Sequence, residues 1–359
     1  MLSAPRDEEY YRALLARDSG YDGVFFVGVS TTGVFCRPTC PARKPAFAHC
    51  EFFSDAQSAL LASYRPCKRC RPLSHPQQMS PVVQQLVDAI EAEPDRRWTN
   101  GDLSALSVHS ATARRQFQAR FGMTFVAYAR ARRLGLAMQD LRAGLPVLDA
   151  QLAVGYESGS GFRDAFARIM GAPPARAAGT RVLYGSWVDT PLGPMLAIGS
   201  DAALHLLEFL DRRGLEREIE TLRQRTGAAI VPGRTAPLRS IQQELECYFA
   251  GAPLTFATPI APMGTPFQQR VWDELREIPP GATRSYSELA ARIGRPAAAR
   301  AVARANGANT LAILIPCHRV IAASGELGGY GGGVARKRWL LDHERQSVSP
   351  ARQTSVSAR

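Results

Sequence analysis

Two cysteine pairs constrain this chain more than any other feature: Cys36-x3-Cys40 and Cys67-x2-Cys70, with 26 residues between them. Each short pair can place two sulfurs on one metal ion, and two pairs complete the tetrahedron that zinc takes with thiolates. Turn-forming residues surround both. Thr31-Thr32-Gly33 precedes the first pair, Pro38 and Pro41 lie within and after it, and Pro66 and Pro72 flank the second. The apolar residues nearby (Phe25, Phe26, Val27, Phe52, Phe53, Leu60 and Leu61) make a thin core, so a metal crosslink would supply much of the stability of a domain of about 75 residues. The expected cofactor is one Zn2+ held by Cys36, Cys40, Cys67 and Cys70, with iron–sulfur ligation as the alternative. Cys50, Cys247 and Cys317 bring the cysteine total to 7, an odd number that argues against a disulfide framework.

Four-thiolate zinc sites are generally closed and structural. Yet such a cluster carries a formal charge of about −2 and keeps its sulfurs deprotonated at neutral pH. A ligand sulfur that reached the surface would be a nucleophile without any general base. Arg37, Arg43, Lys44, Arg65, Lys68, Arg69 and Arg71 flank the cysteines; they either hold a phosphate backbone against the anionic cluster or form a solvated face. Thr31-Thr32-Gly33-Val34-Phe35-Cys36-Arg37-Pro38-Thr39-Cys40 and Arg65-Pro66-Cys67-Lys68-Arg69-Cys70 resemble the N-terminal domain of the Ada adaptive-response proteins. That resemblance implies Cys36 as acceptor of a methyl group from a methylphosphotriester in DNA, with Cys40, Cys67 and Cys70 as the other ligands. Arg43, Arg65, Lys68 and Arg69 would then lie against DNA, and Cys50 has no matching role.

With 359 residues the chain exceeds the ~250–300 over which one hydrophobic core grows, so several domains are expected. Its net charge of +12 is spread: ten basic and seven acidic side chains in residues 1–79, twelve and nine in 80–180, twenty-two and sixteen in 181–359. Three moderately basic modules suit repeated contact with one long anion, although arginine-rich usage also follows genomic base composition. No apolar run approaches the ~18 residues of a membrane span, and the N-terminus lacks the apolar segment of a secretory signal. A cytoplasmic protein without a membrane partner is expected.

Residues 99–179 read as helices. Asp102 to Leu106 leads into a turn at Ser107-Val108-His109, and Ser110 caps a helix over 111–120 that carries Arg114, Arg115 and Gln118 and ends at Gly122. A longer helix is expected over about 126–142, with Leu134, Met138 and Leu141 on one face. A short unit over 148–154, a turn at Gly155 and a helix over 159–169 follow, closed by Gly171 and Pro173-Pro174. Arg115-Gln116-Phe117 before Phe121-Gly122 is echoed by Arg163-Asp164-Ala165-Phe166 before Gly171, an internal repeat. In helix-turn-helix proteins the second helix enters the major groove, so Arg114 and Gln118, or Ser160 and Arg163, can reach base edges or phosphates. A helical bundle with exposed arginines is the plainer alternative. The segment resembles the AraC-type regulatory domain, Gly155-Tyr156-Glu157-Ser158-Gly159-Ser160-Gly161-Phe162 being close to its second-unit signature. Ala113 departs from the larger apolar residue common in the first unit.

A further cysteine follows an apolar run in Ile313-Leu314-Ile315-Pro316-Cys317-His318-Arg319-Val320-Ile321. Alone, such a residue is most often an inert core thiol. A protease-like Cys/His pair is disfavoured because neighbours along an extended chain point to opposite sides; His318 would reach the thiol through a water, with a carboxylate fixing its tautomer. Cys247, in a helical stretch over 240–250, reads as core. Phe267 to Trp272, Ser285-Tyr286 to Ala290, Ala299-Arg300-Ala301-Val302, Asn309, Pro316-Cys317-His318-Arg319, Gly329-Tyr330 and Trp339 to Glu344 together resemble O6-alkylguanine-DNA alkyltransferases over about residues 181–345. The resemblance implies Cys317 as methyl acceptor, activated through a water by His318, itself oriented by Glu344. It implies that Tyr286 turns the target nucleotide out of the stack and that Arg300 fills the gap. Asn309 would organise the loop around the thiol, and Tyr330 would line the base pocket. Gly331 stands where some relatives have serine.

The expected architecture is multidomain, α/β and all-α. A zinc-stabilised α/β domain spans 1–76 and an all-α double helix-turn-helix 80–178. An α/β alkyltransferase domain divides into a subdomain at 181–262 and a winged-helix-like DNA-binding and active-site part at 263–346, and a disordered tail spans 347–359. Linkers fall near 73–81 and 173–182. The expected partners are alkylated and promoter double-stranded DNA, with RNA polymerase when activating, for a monomer. The expected function is irreversible methyl transfer, from O6-methylguanine and O4-methylthymine to Cys317 and from phosphotriesters to Cys36, the latter switching on transcription. The rival is a DNA-binding regulator whose zinc is purely structural. A cysteine hydrolase would instead turn over repeatedly.

Overall fold

In this computed structural model, described over residues 4–54, 58–59, 62–70, 72, 79–252 and 255–348, helix α1 (Ala4–Ala16) packs on a small sheet. Its strands β1 (Phe26–Val29), β2 (Val34–Cys36), β3 (Cys50–Phe53) and β4 (Arg65–Pro66) lie in the order β3-β1-β2-β4. A turn with Gly33 at φ +63° returns β2 antiparallel to β1, whereas β4 runs parallel to β2. Apolar side chains alternate between the two faces. Phe25 stacks on Tyr10 of α1 at 4.2 Å, and Phe26, Phe35 and Phe53 gather on the opposite side. Leu60, Leu61, Arg71 and the linker positions 73–78 lie outside the described residues.

The helical module follows. Helices α2 (Pro81–Ala92), α3 (Asp102–Ala105) and α4 (Ser110–Phe121) form the first unit around Leu86, Ile90, Leu103 and Phe117. Ser107, at φ +56°, makes the tight turn between α3 and α4. Ser110 does not cap α4: His109 takes the extended backbone of the N-cap position, and Ser110 is already helical, so its hydroxyl has no cap geometry. Helix α5 (Phe125–Arg142) joins this unit to α6 (Val147–Ala153) and α7 (Gly159–Met170). Ser158 caps α7 by accepting the Gly161 N–H at 3.2 Å. The internal repeat is structural as well: Phe117 and Phe166 are both fully buried, and left-handed glycines, Gly122 and Gly171, end α4 and α7.

The third module opens with strands β5 (Arg181–Val188), β6 (Met195–Gly199), β7 (Leu204–Phe209) and β8 (Ala228–Pro232), ordered β7-β6-β5-β8. Helix α8 (Leu215–Thr226) precedes β8, which is parallel to β5, and α9 (Ala236–Phe249) follows. The active-site part comprises α10 (Pro266–Arg276), β9 (Arg284–Ser285), α11 (Tyr286–Arg292), α12 (Ala299–Gly307), β10 (Val320–Ile321) and α13 (Val334–Val348). Helix α13 continues past 346, so the expected start of the tail is displaced, and 349–359 lie outside the described residues.

The modules pack on one another. Trp187 of β5 meets Phe121 of α4 edge-on at 4.7 Å, and Asp189 binds Arg120 at 2.7 Å and the Met79 N–H at 2.8 Å. Helix α1 docks on α13 through Arg6–Asp342 at 2.7 Å and Glu9–Arg338 at 2.5 Å. No described helix is long and apolar enough to cross a membrane.

Candidate functional site

The register of β2 and β4 builds the first site. Val34 faces Arg65 and Phe35 faces Pro66, so the next residues along, Cys36 and Cys67, leave the sheet side by side. A turn after β2, closed by the Cys40 N–H on Arg37 O, returns Cys40, and the Arg37 N–H donates to Cys70 Sγ at 3.4 Å. The four sulfurs lie within 4.8 Å of one another, those of Cys40 and Cys67 being 4.0 Å apart. Zinc–thiolate bonds of ~2.3 Å in a tetrahedron place sulfurs about 3.8 Å apart, so this donor set fits zinc. Hydrogen bonds from Cys36 and Cys70 push Cys40 down to about 2, while donation to Cys40 pushes Cys36 far up.

A cavity of about 710 Å³ opens on Cys36, Cys40 and Cys67, lined on its basic side by Arg43, Arg65, Lys68 and Arg69. These four side chains are exposed. Lys44 is not part of a solvated face: its ammonium donates to the carbonyls of Pro38 at 2.9 Å and Cys40 at 3.2 Å, tying the ligand loop.

The second site surrounds Cys317, which is buried. Asn309 organises it. Its Nδ2 donates to Ile315 O at 2.8 Å and to Cys317 Sγ at 3.1 Å, and its Oδ1 accepts the Leu311 N–H at 2.9 Å. The loop it braces holds Ile313 at φ +73°, a strained setting for a β-branched residue that persists only where the surroundings impose it. Asn306 adds a bond to Cys317 O at 3.3 Å. Cys317–Arg319 is a single 3-10 turn rather than extended chain, because Asn309 and the Cys317 N–H on Ile315 O curl the segment.

His318 is fully buried, and its Nε2 meets Glu344 Oε1 at 2.8 Å. Glu344 also accepts both Arg319 Nε and Nη2 at 2.9 Å, the Tyr248 hydroxyl at 2.9 Å and the Gly281 N–H at 3.1 Å. Burial alone would raise this carboxyl, but the bonds from His318 and Arg319 hold it well below the usual carboxylate range. Burial lowers His318 despite the facing carboxylate, so the imidazole is neutral at pH 7. With Nε2–H given to Glu344, the buried and unpartnered Nδ1 is the acceptor nitrogen. Burial also pushes the Cys317 thiol up to about 11, against the bond from Asn309.

Tyr286 begins α11, half-buried, and its hydroxyl lies beside Gly328 of the pocket loop. Tyr330 sits edge-on to His318 at 6.5 Å, its hydroxyl buried and unpartnered. Arg300 is exposed on α12, as are Arg114 on α4 and Arg163 on α7. Gln118 is exposed too, but its amide donates to Gly122 O at 2.7 Å. Cys247 lies exposed on α9, not in the core, because Leu245 and Tyr248 take the inward face; Cys50 is half-buried. Arg319 and Tyr248 carry no role in the sequence reading. Arg319 stands in the Pro-Cys-His-Arg run and was visible there, whereas Tyr248 has no local signal.

Family models match along the chain: the metal binding domain of Ada over residues 9–72, a helix-turn-helix domain over 103–178, and the DNA binding domain of 6-O-methylguanine DNA methyltransferase over 266–346. The chain is 36% identical over 356 residues to a protein of Escherichia coli K12 named bifunctional transcriptional activator/DNA repair enzyme Ada, covering 95% of this chain and 97% of that one. It is 47% identical over 164 residues to a methylated-DNA–protein-cysteine methyltransferase of Mycobacterium tuberculosis H37Rv, covering 46% of this chain and 93% of that one. A crystal structure of the Mycobacterium tuberculosis O6-methylguanine methyltransferase shares 43% identity over 48% of this chain and 98% of its own, with a TM-score of 0.42. A thiolate cluster, a helix-turn-helix pair and a buried Cys–His–Glu network on one chain, aligned end to end with such a relative, place this protein in the Ada family.

Proposed function

We propose that this chain repairs alkylated DNA by two irreversible methyl transfers to its own cysteines. Cys317 takes the alkyl group of O6-methylguanine or O4-methylthymine, and Cys36 that of a methylphosphotriester. The observation that carries the first transfer is the Cys317–His318–Glu344 arrangement with Nδ1 left unpartnered. The thiol proton passes through a water to Nδ1, and Glu344 stabilises the imidazolium. The sulfur then bonds the methyl carbon as the carbon–oxygen bond breaks, the electron pair staying on O6 and a proton ending on the base. The thioether has no hydrolysable bond, so each cysteine acts once. O6 lies inside the duplex, so the base must be extruded; half-buried Tyr286 and exposed Arg300 suit turning the nucleotide and filling its gap, with Tyr330 against the extruded base.

At the other site zinc, when bound, supplies the charge that keeps all four sulfurs as thiolates. Cys36, on the cavity with Arg43, Arg65, Lys68 and Arg69, attacks the phosphotriester methyl and leaves an ordinary phosphodiester. Methylation changes the formal cluster charge from about −2 to −1, which weakens repulsion from DNA phosphates. This switches the helix-turn-helix module, through Arg114, Gln118 and Arg163, onto promoter DNA, where a monomer recruits RNA polymerase. Equal promoter affinity before and after Cys36 methylation would refute the switch. The transfers are tested with DNA carrying labelled methyl groups on guanine O6 and on phosphates, followed by mass spectrometry. One methyl on each of Cys36 and Cys317 is expected. Label on Cys317 alone makes the zinc structural, and sustained turnover overturns the acceptor mechanism.

A further inference from the structure

Between the two helix-turn-helix units lies a cavity of about 690 Å³ where Arg97, Arg130, Arg133 and Arg168 converge, with Glu157 and Asp164 as the acidic side chains on its wall. Arg97 enters from the segment before α3, Arg130 and Arg133 from the linking helix α5, and Arg168 from α7. The Ser158-capped start of α7 closes one side.

Arg133 is only 6% exposed and its guanidinium sits 5.1 Å from the centre of the Tyr156 ring. Its Nε is buried without a hydrogen-bond partner. None of the four arginines forms an ion pair among the described residues, in contrast to Arg132 on the same helix, which binds Glu91 at 3.0 Å. Burial is the main influence disfavouring the charge of Arg133, the Tyr156 hydroxyl offsets part of this by accepting a hydrogen bond from it, and Arg97 and Arg130 add a smaller repulsion. A buried guanidinium facing like charges is costly unless an anion completes the site. Four forked donors and a capped helix N-terminus suit the oxygens of a phosphate group. The cavity also adjoins the first turn of α7, where the Arg163 side chain folds back towards Gly159.

We propose that this cavity is a phosphate-binding site that seats the backbone of double-stranded DNA between the two recognition helices. It rests on the duplex-binding role of this module, and adds residues that none of the recognition-helix positions include. The contact positions the two units on the duplex and carries no base information.

The test uses the full-length, zinc-loaded protein and two unrelated duplexes of about 30 base pairs, with binding followed by fluorescence anisotropy across a salt series. Arg97→Gln/Arg130→Gln changes two exposed side chains, and Arg133→Gln the buried one; thermal melting checks that each is folded. Each phosphate contact contributes about 0.9 to the slope of log Kobs against log salt. The expected result is a slope shallower by one to two in the double variant, with the same fold loss of affinity on both duplexes. Inorganic phosphate should compete with duplex for wild type at millimolar levels. Wild-type slopes in the folded variants overturn the proposal, as does a loss confined to one duplex. Stabilisation of wild type by inorganic phosphate without any change in the variants' DNA slope also overturns it, and assigns the cavity to a free anion. A wild type that binds neither duplex refutes the duplex-binding role itself, which separates the two failures.

Discussion

Burial pushes the Cys317 thiol up to about 11, so at neutral pH the acceptor rests protonated and depends on a nearby base. In the proposed mechanism the neutral His318, with Nδ1 open, is that base. His318→Gln should slow transfer from O6-methylguanine about 10²- to 10⁴-fold while leaving uptake at Cys36 unchanged, measured in a single-turnover labelling assay. Glu344 sets the pH behaviour. Its folded pKa is depressed, so its stabilisation is present above the ordinary value of ~4.3 and is lost as pH falls towards the folded value. His318, also depressed in the fold, acts in the same direction below ~6.5. Melting temperatures should therefore fall as pH drops from 7 to 3, and Glu344→Gln should lower the pH 7 value and flatten the acid slope; a parallel curve would contradict the assignment. The candidate residues at this site were legible in sequence only through the family resemblance, because the Pro-Cys-His-Arg run by itself also fits an inert core thiol. The protonation states were not, since burial and a partner 26 positions away decide them.

Among elements, the β2–β4 pair shows how short strands serve chemistry. Two paired positions align Cys36 with Cys67, and the turns after each strand return Cys40 and Cys70. Sheet pairing of two residues has little stability of its own, so zinc should govern this module: structural zinc is worth ~10–16 kcal/mol in small domains. Chelation should melt the module containing α1 to β4, seen as loss of Cys36 methylation and new protease cuts before residue 72. Transfer to Cys317 should persist. Spacing and turn chemistry made the ligand set readable from the chain. Helix ends were less so: a serine before a helical run is a cap only if its own backbone is extended, and at α4 His109 takes that place.

Across the whole molecule, α1 lies on α13, the helix that carries Glu344, held by Glu9–Arg338 and Arg6–Asp342. Their side chains keep 26–34% exposure, so each pair is worth only about 0.2–1 kcal/mol and weakens with salt. Arg338→Glu should loosen the docking, read as faster proteolysis between modules, and Glu9→Arg/Arg338→Glu should restore protection. A swap that stays as labile as the single variant would count against these pairs as the clasp.

The zinc ligand set and the repeated helix-turn-helix could be read from the sequence alone, because ligand spacing and helix period are local properties; Cys317 stood out only through the family resemblance of its Pro-Cys-His-Arg run, since a lone thiol after an apolar run reads as core. The family resemblance already pointed to Glu344 as the carboxylate on His318; tertiary structure alone decided that Arg319 shares that carboxylate, that Tyr248 joins it from 96 positions away, and that four arginines from three segments meet in one cavity. Those arrangements have no period and no motif. The groups around Glu344 meet because burial brings distant polar groups together and then requires each to find a partner.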